Sequence, residues 1–278
     1  MKLRVGSDLH LEWRLPFKEN PDEALPKALE TVLPEDERDF ESVLVLAGDI
    51  TSYPAQRLAL LKRVVPRFKH VFYVAGNHEF WGSDMMAWVT ERKLMLDTFG
   101  DKLTVSKIGG AVRWFDSSTG VSIIGATKWT AFGRGSPRIE MCLQRFPDCF
   151  SINYNSQPLT PKKIAAIHQE EIAAIIAELK SVREKSVDTN IVVVTHHLPS
   201  FSLCDPRYAG GIDGFDHAFA SNQNNLLGDD FLAPDFWIHG HTHVAVERFL
   251  GNSHILCNPA GYPNEQPGGY RPHCFIEV

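Results

Sequence analysis

The chain has 278 residues, 44% of them hydrophobic, with 34 acidic against 28 basic residues and a formal net charge of -6. That length is near the upper end for one domain and supplies a sizeable core. The acidic balance excludes a global attraction to nucleic acid or acidic membranes, although bound cations would reverse the field locally.

In chain order, the first apolar run is Leu3 to Val5, which reads as a buried strand, and Asp8-Leu9-His10 follows it. The segment before Asp8 has no long apolar core and no small-residue cleavage site, so it reads as a strand and not a signal peptide. Pro16 to Glu41 reads as a surface helix and loop, with Asn20-Pro21 as the helix start and its acidic run as a solvated face. Val43 to Ala47 is the second strand and ends in Gly48-Asp49. Pro54 to Phe68 reads as a helix with Leu58, Leu61 and Val65 on one face and Lys62, Arg63, Arg67 and Lys69 on the wet side. Val71 to Ala75 is the third strand, followed by Gly76-Asn77-His78-Glu79. Ser83-Asp84 starts a helix reaching about Phe99, in which Met85 and Met86 are packing residues.

Val121 to Ala126 forms another strand, and Trp129 to Leu159 reads as irregular. Thr160-Pro161 is an N-cap and first-turn pair. The helix after it carries Ile164, Ile167, Ile172, Ile175, Ile176 and Leu179 at three- and four-residue spacing. Ile191 to Val194 is a strand ending in His196-His197, and Leu198 to Asn225 is a second long loop with Gly210-Gly211 and Gly214. Phe236 to Ile238 is a strand followed by Gly240-His241-Thr242-His243. Strands near His254 to Cys257 and Cys274 to Val278 flank the turn-rich Asn258 to Pro272. The alternation of strands and helices gives an α/β class. Motifs that must meet in space lie at both ends of the chain, so residues 1–278 form one domain.

Five cysteines with no Cys-x-x-Cys read as unpaired thiols in a reducing compartment. No apolar stretch approaches the length of a membrane span. A cytoplasmic protein is expected.

Five short polar motifs thus follow five apolar strands. Open α/β sheets place ligands outside the carboxyl ends of their strands. Asp, Asn and His without sulfur make a mixed oxygen and nitrogen donor set that suits divalent first-row metals. In the extended segment at the last motif, His241 and His243 face the same way. Gly48, Gly76 and Gly240 read as the residues that permit the tight turns.

Taken in order, Asp-x-His, Gly-Asp, Gly-Asn-His-Glu, a strand-terminal His and Gly-His-x-His resemble the calcineurin-like metallophosphoesterases. The resemblance spans Asp8 to His243, most of the chain. It implies a four-layer α-β-β-α sandwich of two mixed β-sheets flanked by helices. It implies two divalent metal ions, with Asp8, His10, Asp49 and His243 on one and Asp49, Asn77, His196 and His241 on the other. Mn, Fe and Zn all fit these donors. A hydroxide held between the metals would attack a small-molecule phosphomonoester or phosphodiester, nucleotides included, in one step. His78 is the implied catalytic residue, as a proton donor to the leaving oxygen or a stabiliser of the phosphoryl oxygens, and Glu79 orients its loop. The strand-terminal ligand stays open between His196 and His197. His197-Leu198-Pro199 has the family's proline spacing, while His196 fits the double-His form and is favoured. His197 then contacts substrate or supports a ligand, and His239 reads as a buried structural residue.

Substrate-side candidates are Trp129, Arg134, Arg138, Arg145, Phe146 and Tyr154 in one loop and Arg207 and Tyr208 in the other. Arg favours phosphate and aromatic rings stack bases. The turn Asn258-Pro259-Ala260-Gly261-Tyr262 forms a wall. Two other functions compete. The acidic balance weighs against a nuclease, and the complete ligand set weighs against a non-catalytic protein-binding scaffold of the same fold.

Overall fold

The strands that carry the motifs are runs of β-branched and aliphatic residues, and three of them are buried along their whole length. In the computed structural model, which describes residues 1–15, 20–133, 136–206, 214–265 and 268–278, these runs become the centre of two sheets. The strands of the described residues are β1 (Lys2–Gly6), β2 (Val43–Ala47), β3 (His70–Val74), β4 (Ser83–Asp84), β5 (Leu103–Val105), β6 (Val112–Asp116), β7 (Val121–Ala126), β8 (Ile152–Tyr154), β9 (Gln157–Pro158), β10 (Ile191–Thr195), β11 (Phe236–His239), β12 (Val246–Leu250), β13 (Ser253–Cys257) and β14 (Phe275–Glu277).

One sheet has the order β14-β1-β2-β3-β5, and the other the order β12-β13-β11-β10-β7-β6. Their inner strands are parallel, and the antiparallel strands β14, β12 and β6 sit at edges, so both sheets are mixed. Between the sheets, Leu3, Val5, Val43, Val45, Phe72 and Val74 face Val121, Ile123, Val192, Val194, Ile238 and Leu256. Helices cover the outer faces. Pro21–Val32 and Pro54–Val64 pack Leu25, Leu29, Leu60 and Leu61 against the first sheet, and the later part of Pro161–Arg183 lays Ile175 and Leu179 on the second. This is the four-layer sandwich. The long helix Pro161–Arg183 starts as its cap predicts, with Thr160 Oγ1 accepting the Lys163 N–H at 3.2 Å. No helix among the described residues is long and apolar enough to cross a membrane.

A link ties the two sheets at the motif edge. After β13 the chain crosses to the end of β1, where Ser7 pairs in parallel with Pro259, and Ala260 N–H bonds Ser7 O at 3.0 Å. Asn258 Nδ2 adds a bond to Val5 O at 2.8 Å.

Three local expectations change. Ser83-Asp84 does not begin a helix. It forms β4, and the helix starts at Ala87, because Asp84 spends its carboxylate on Met86 N–H and on the Asn155 and Ser156 N–H groups across a turn. Trp129 to Leu159 is not wholly irregular. It holds the helices Pro137–Leu143 and Asp148–Ser151, and β8 and β9, which form a third small sheet in the order β4-β8-β9. Ser136-Pro137 there is a cap and first-turn pair of the same kind as Thr160-Pro161. Within Leu198 to Asn225, short helices cover Asp216–Phe219 and Asn224–Leu227; Gly210-Gly211 lies outside the described residues.

Candidate metal centre

Side chains alternate along a strand, so several ligands can converge on one point only where the chain turns at the strand ends. Asp8, His10, Asp49, His241 and His243 do this on left-handed backbone, with φ of 52°, 45°, 55°, 79° and 51°. Residues other than glycine seldom adopt that region, and those that do cluster at functional sites. The three glycines serve two purposes. Gly48 turns the chain with φ of 88°, but Gly76 and Gly240 are absent from the left-handed set, which corrects the tight-turn reading. What they supply is room: a Cβ on Gly76 would lie 2.2 Å from Asp49 Oδ1, and one on Gly240 would lie 2.7 Å from Asp8 Oδ2.

Glu79 locks two of these strand ends together. Its carboxylate accepts the N–H groups of Asp49 (3.0 Å), Ile50 (2.7 Å) and Gly76 (2.6 Å), and the Tyr73 hydroxyl at 2.8 Å. It is fully occupied and orients the loop.

The ligand candidates gather in two halves around Asp49. In the first, Asp8, His10 and His243 bring one donor atom each within 4.8 Å of one another. His10 Nδ1–H donates to Glu12 Oε1 at 3.0 Å, and His243 Nδ1–H donates to Glu265. Each imidazole therefore carries its lone pair on Nε2, and those two nitrogens face each other at 2.9 Å. In the second half, Asp49, His196 and His241 converge in the same way. His196 Nδ1–H donates to Ala47 O at 2.9 Å, which leaves Nε2 as an acceptor. It faces His241 Nδ1 at 3.1 Å, Asp49 Oδ1 at 3.3 Å and Asn77 Oδ1 at 3.0 Å. The Asn77 amide is held oxygen-inward because its Nδ2–H donates to Asp148 at 2.9 Å.

In the first half acceptor thus faces acceptor with no donor between them, and in the second at most one N–H, that of His241 Nδ1, lies among the His196, Asn77 and Asp49 acceptors. Asp8 Oδ2 and His241 Nε2 are also buried without a hydrogen-bond partner. Lone pairs at such distances repel unless a cation or a proton lies among them. Burial alone would depress His196, yet Asp49 beside it holds the imidazole up at about 9. The residues fit divalent metal ions, which satisfy the same acceptors without protonating them.

His78 is buried beside His10 and Asp49 and lines the cleft. It opens the turn His78–Phe80, its N–H donates to Asp49 Oδ1 at 2.9 Å, and its Nδ1–H donates to Glu12 Oε1 at 3.0 Å. Trp81 stacks on its ring at 3.7 Å between centroids. Burial opposes the charged form of His78, but Asp49 and Glu12 hold it up at about 9; cations bound beside it would draw it down. Glu12, receiving both imidazole N–H groups, is held at about 2 despite burial.

The cleft over these residues measures about 290 Å³ and is walled by Trp81, Phe146, Phe219 and Tyr262, with Glu265 at its rim. His197 does not line it. That ring is fully buried behind His241, 4.3 Å between centroids, and burial pushes its pKa well down; it packs against a ligand candidate and does not reach the cleft. Arg145 is exposed and its neighbour Phe146 lines the cleft instead. Trp129 is buried against His197, Arg138 is exposed, and Tyr154 packs under Lys163. Arg134, Arg207 and Tyr208 lie outside the described residues. His239 is buried with its Nδ1–H on Gly240 O at 3.0 Å, and burial depresses it to about 4. Sequence reasoning missed Glu12, Asp148 and Glu265. Only Glu12 had a local signal, two residues after His10.

Compared with known proteins, the sequence matches a family described as calcineurin-like phosphoesterase over residues 1–245. No curated protein matches the chain. Among solved structures, a phosphopantetheinyl hydrolase from Mycobacterium tuberculosis superposes with a TM-score of 0.64 at 18% identity, over 96% of this chain and 93% of that one. A candidate 5'-nucleotidase from Staphylococcus aureus gives 0.46 at 16% identity, over 92% of this chain and 48% of that one.

Proposed function

The chain belongs to the calcineurin-like phosphoesterases and is a metal-dependent phosphoesterase, and on that premise we propose that it hydrolyses small phosphate esters at a centre of two metal ions. One observation carries the proposal: two sets of Asp, Asn and His donor atoms, short of hydrogens to share among them, converge on either side of a single carboxylate. Asp8, His10, Asp49 and His243 would hold one ion, and Asp49, Asn77, His196 and His241 the other.

When bound, the pair of ions would supply charge neutralisation and an activated water. The chain's own residues do the rest. Asp49 spans the two halves, with Oδ1 at 3.3 Å from His196 Nε2 and Oδ2 at 3.9 Å from His10 Nε2. Asp148 keeps the neutral Asn77 oxygen turned inward, which limits negative charge around the ions. Glu12 accepts His78 Nδ1–H and favours the imidazolium, whose Nε2–H faces the cleft and would donate a proton to the leaving oxygen. Among the described residues the cleft lining contains no Lys or Arg. That supports a small ester over a nucleic acid chain, whose backbone would need repeated cations.

The test is hydrolysis by metal-reconstituted protein of 4-nitrophenyl phosphate, bis(4-nitrophenyl) phosphate, cyclic nucleotides and a phosphopantetheinyl compound, the last suggested by the fold neighbour. Activity should vanish with a chelator and return with Mn, Fe or Zn. Protein that holds two metals and turns over none of these esters would contradict the reading.

A further inference from the structure

The geometry points to Tyr262 as a catalytic residue whose hydroxyl donates to a non-bridging phosphoryl oxygen of the substrate. This rests on the phosphoesterase reading above and adds to it a residue beyond the span 1–245 that matches the family.

Tyr262 is fixed in place from several sides. The turn that carries it is tied to β1 by the Ser7 and Asn258 bonds, and Arg14 Nη2 donates to Gly261 O at 2.6 Å. Glu265 accepts the Tyr262 N–H at 3.0 Å while also accepting His243 Nδ1–H. One carboxylate therefore latches the turn to a ligand candidate. The phenol ring lies against His10, 4.3 Å between centroids, and His243, 4.8 Å.

A ring that served only as a wall would have no reason to aim its polar end inward. The Tyr262 hydroxyl sits 3.3 Å from His78 Nε2, inside the cleft. Phosphoryl transfer spreads charge over the oxygens that neither attack nor leave. With no Lys or Arg in the described lining, the side-chain donors facing that charge are the His78 imidazolium and the Tyr262 hydroxyl; Thr242 also lines the cleft, but its hydroxyl oxygen is buried. If His78 serves the leaving oxygen, Tyr262 is left to serve a non-leaving one. Before substrate binds, the phenol hydroxyl pairs with His78 Nε2 at 3.3 Å. When substrate binds, its own O–H is free to turn to the phosphoryl group, and no proton need be lost. A fixed neutral donor of this kind acts with little reorganisation.

Tyr262→Phe keeps the ring and removes the donor. With 4-nitrophenyl phosphate, kcat should fall about 10²-fold, with KM changed by less than about threefold and both metals retained by elemental analysis. Orthovanadate, which takes the trigonal-bipyramidal shape of the transition state, should inhibit the variant correspondingly less, while inhibition by inorganic phosphate changes little. Tyr262→Leu removes the ring as well and should also loosen a metal. If Tyr262→Phe stays within about twofold of the native kcat while the native protein turns over the ester with both metals bound, the hydroxyl has no catalytic part and the phosphoesterase reading stands. Loss of a metal from Tyr262→Phe would make the residue a packing element and also overturn the proposal. A native protein, fully metallated, that hydrolyses no phosphate ester removes the reading and this inference together.

Discussion

His10 and His243 lean on carboxylates, while His196, on the other side of Asp49, leans on the backbone carbonyl of Ala47. The first pair of supports comes from chain segments that reach in from outside the strands, and Glu265 is 46% exposed at its side chain. The second half is enclosed by the sheets, with His196 at 0% exposure. A carboxylate behind a histidine raises its basicity and tightens a metal, but only while the segment that carries it stays docked. A backbone carbonyl between two sheets gives less charge and cannot move away. The same residue types therefore make one half strong but dependent on a surface turn, and the other rigid.

The most severe way to break the comparison is to remove what the halves share. Asp49→Asn should weaken at least one metal and nearly abolish hydrolysis, with the circular dichroism of the fold unchanged. Full activity with two metals bound would show that Asp49 does not bridge. Next in size, His196→Ala should lose the metal of the enclosed half and most activity, whereas His197→Ala should keep both metals. Elemental analysis showing the reverse would transfer the ligand role to His197.

His78 stands outside both halves and tests whether proton delivery is separate from metal holding. His78→Ala should lose on the order of 10²–10⁴-fold on alkyl phosphate esters, much less on nitrophenyl esters, and no metal. An equal loss on both would reassign His78 to the phosphoryl oxygens. The smallest effect should come from Glu265→Gln, which leaves an acceptor but removes its charge. One metal should then be extracted by a chelator at about tenfold lower concentration, and the other should be unaffected. If the enclosed metal leaves first, the contrast between the halves is wrong.

The motif-bearing strands were legible because parallel inner strands are buried on both faces and read as unbroken apolar runs. Of the antiparallel edge strands, β14 was read from Cys274 to Val278, but β6 and β12 were not. In Val112–Asp116 no residue is buried, and Val246–Leu250 shows the same lack, so neither carries a periodic signal strong enough to stand out. The ligand candidates were legible because each follows a strand closely. Their supports were not, since Asp148 and Glu265 reach Asn77 and His243 across 71 and 22 residues and no spacing rule links them. The turn 258–262 was visible as punctuation and as a wall. That its tyrosine hydroxyl meets His78 depends on Ser7 pairing with Pro259, a contact that only the folded topology creates.

That last pairing also bears on biosynthesis. The first half of the metal centre joins Asp8 and His10 to His243 and to Glu265, and its geometry is sealed where β1 meets the chain beyond β13 and the strand β14. Loops of more than two hundred residues must close before these contacts reward the chain, and such contacts form slowly. A nascent chain emerging from the ribosome can assemble β1, β2 and β3 early, yet it exposes Asp8 and His10 with no histidine opposite. On the proposed ligand set, metal capture at that half must wait until Glu265 has been made, so that a product cut short before it holds its early ligand candidates open and a cation weakly.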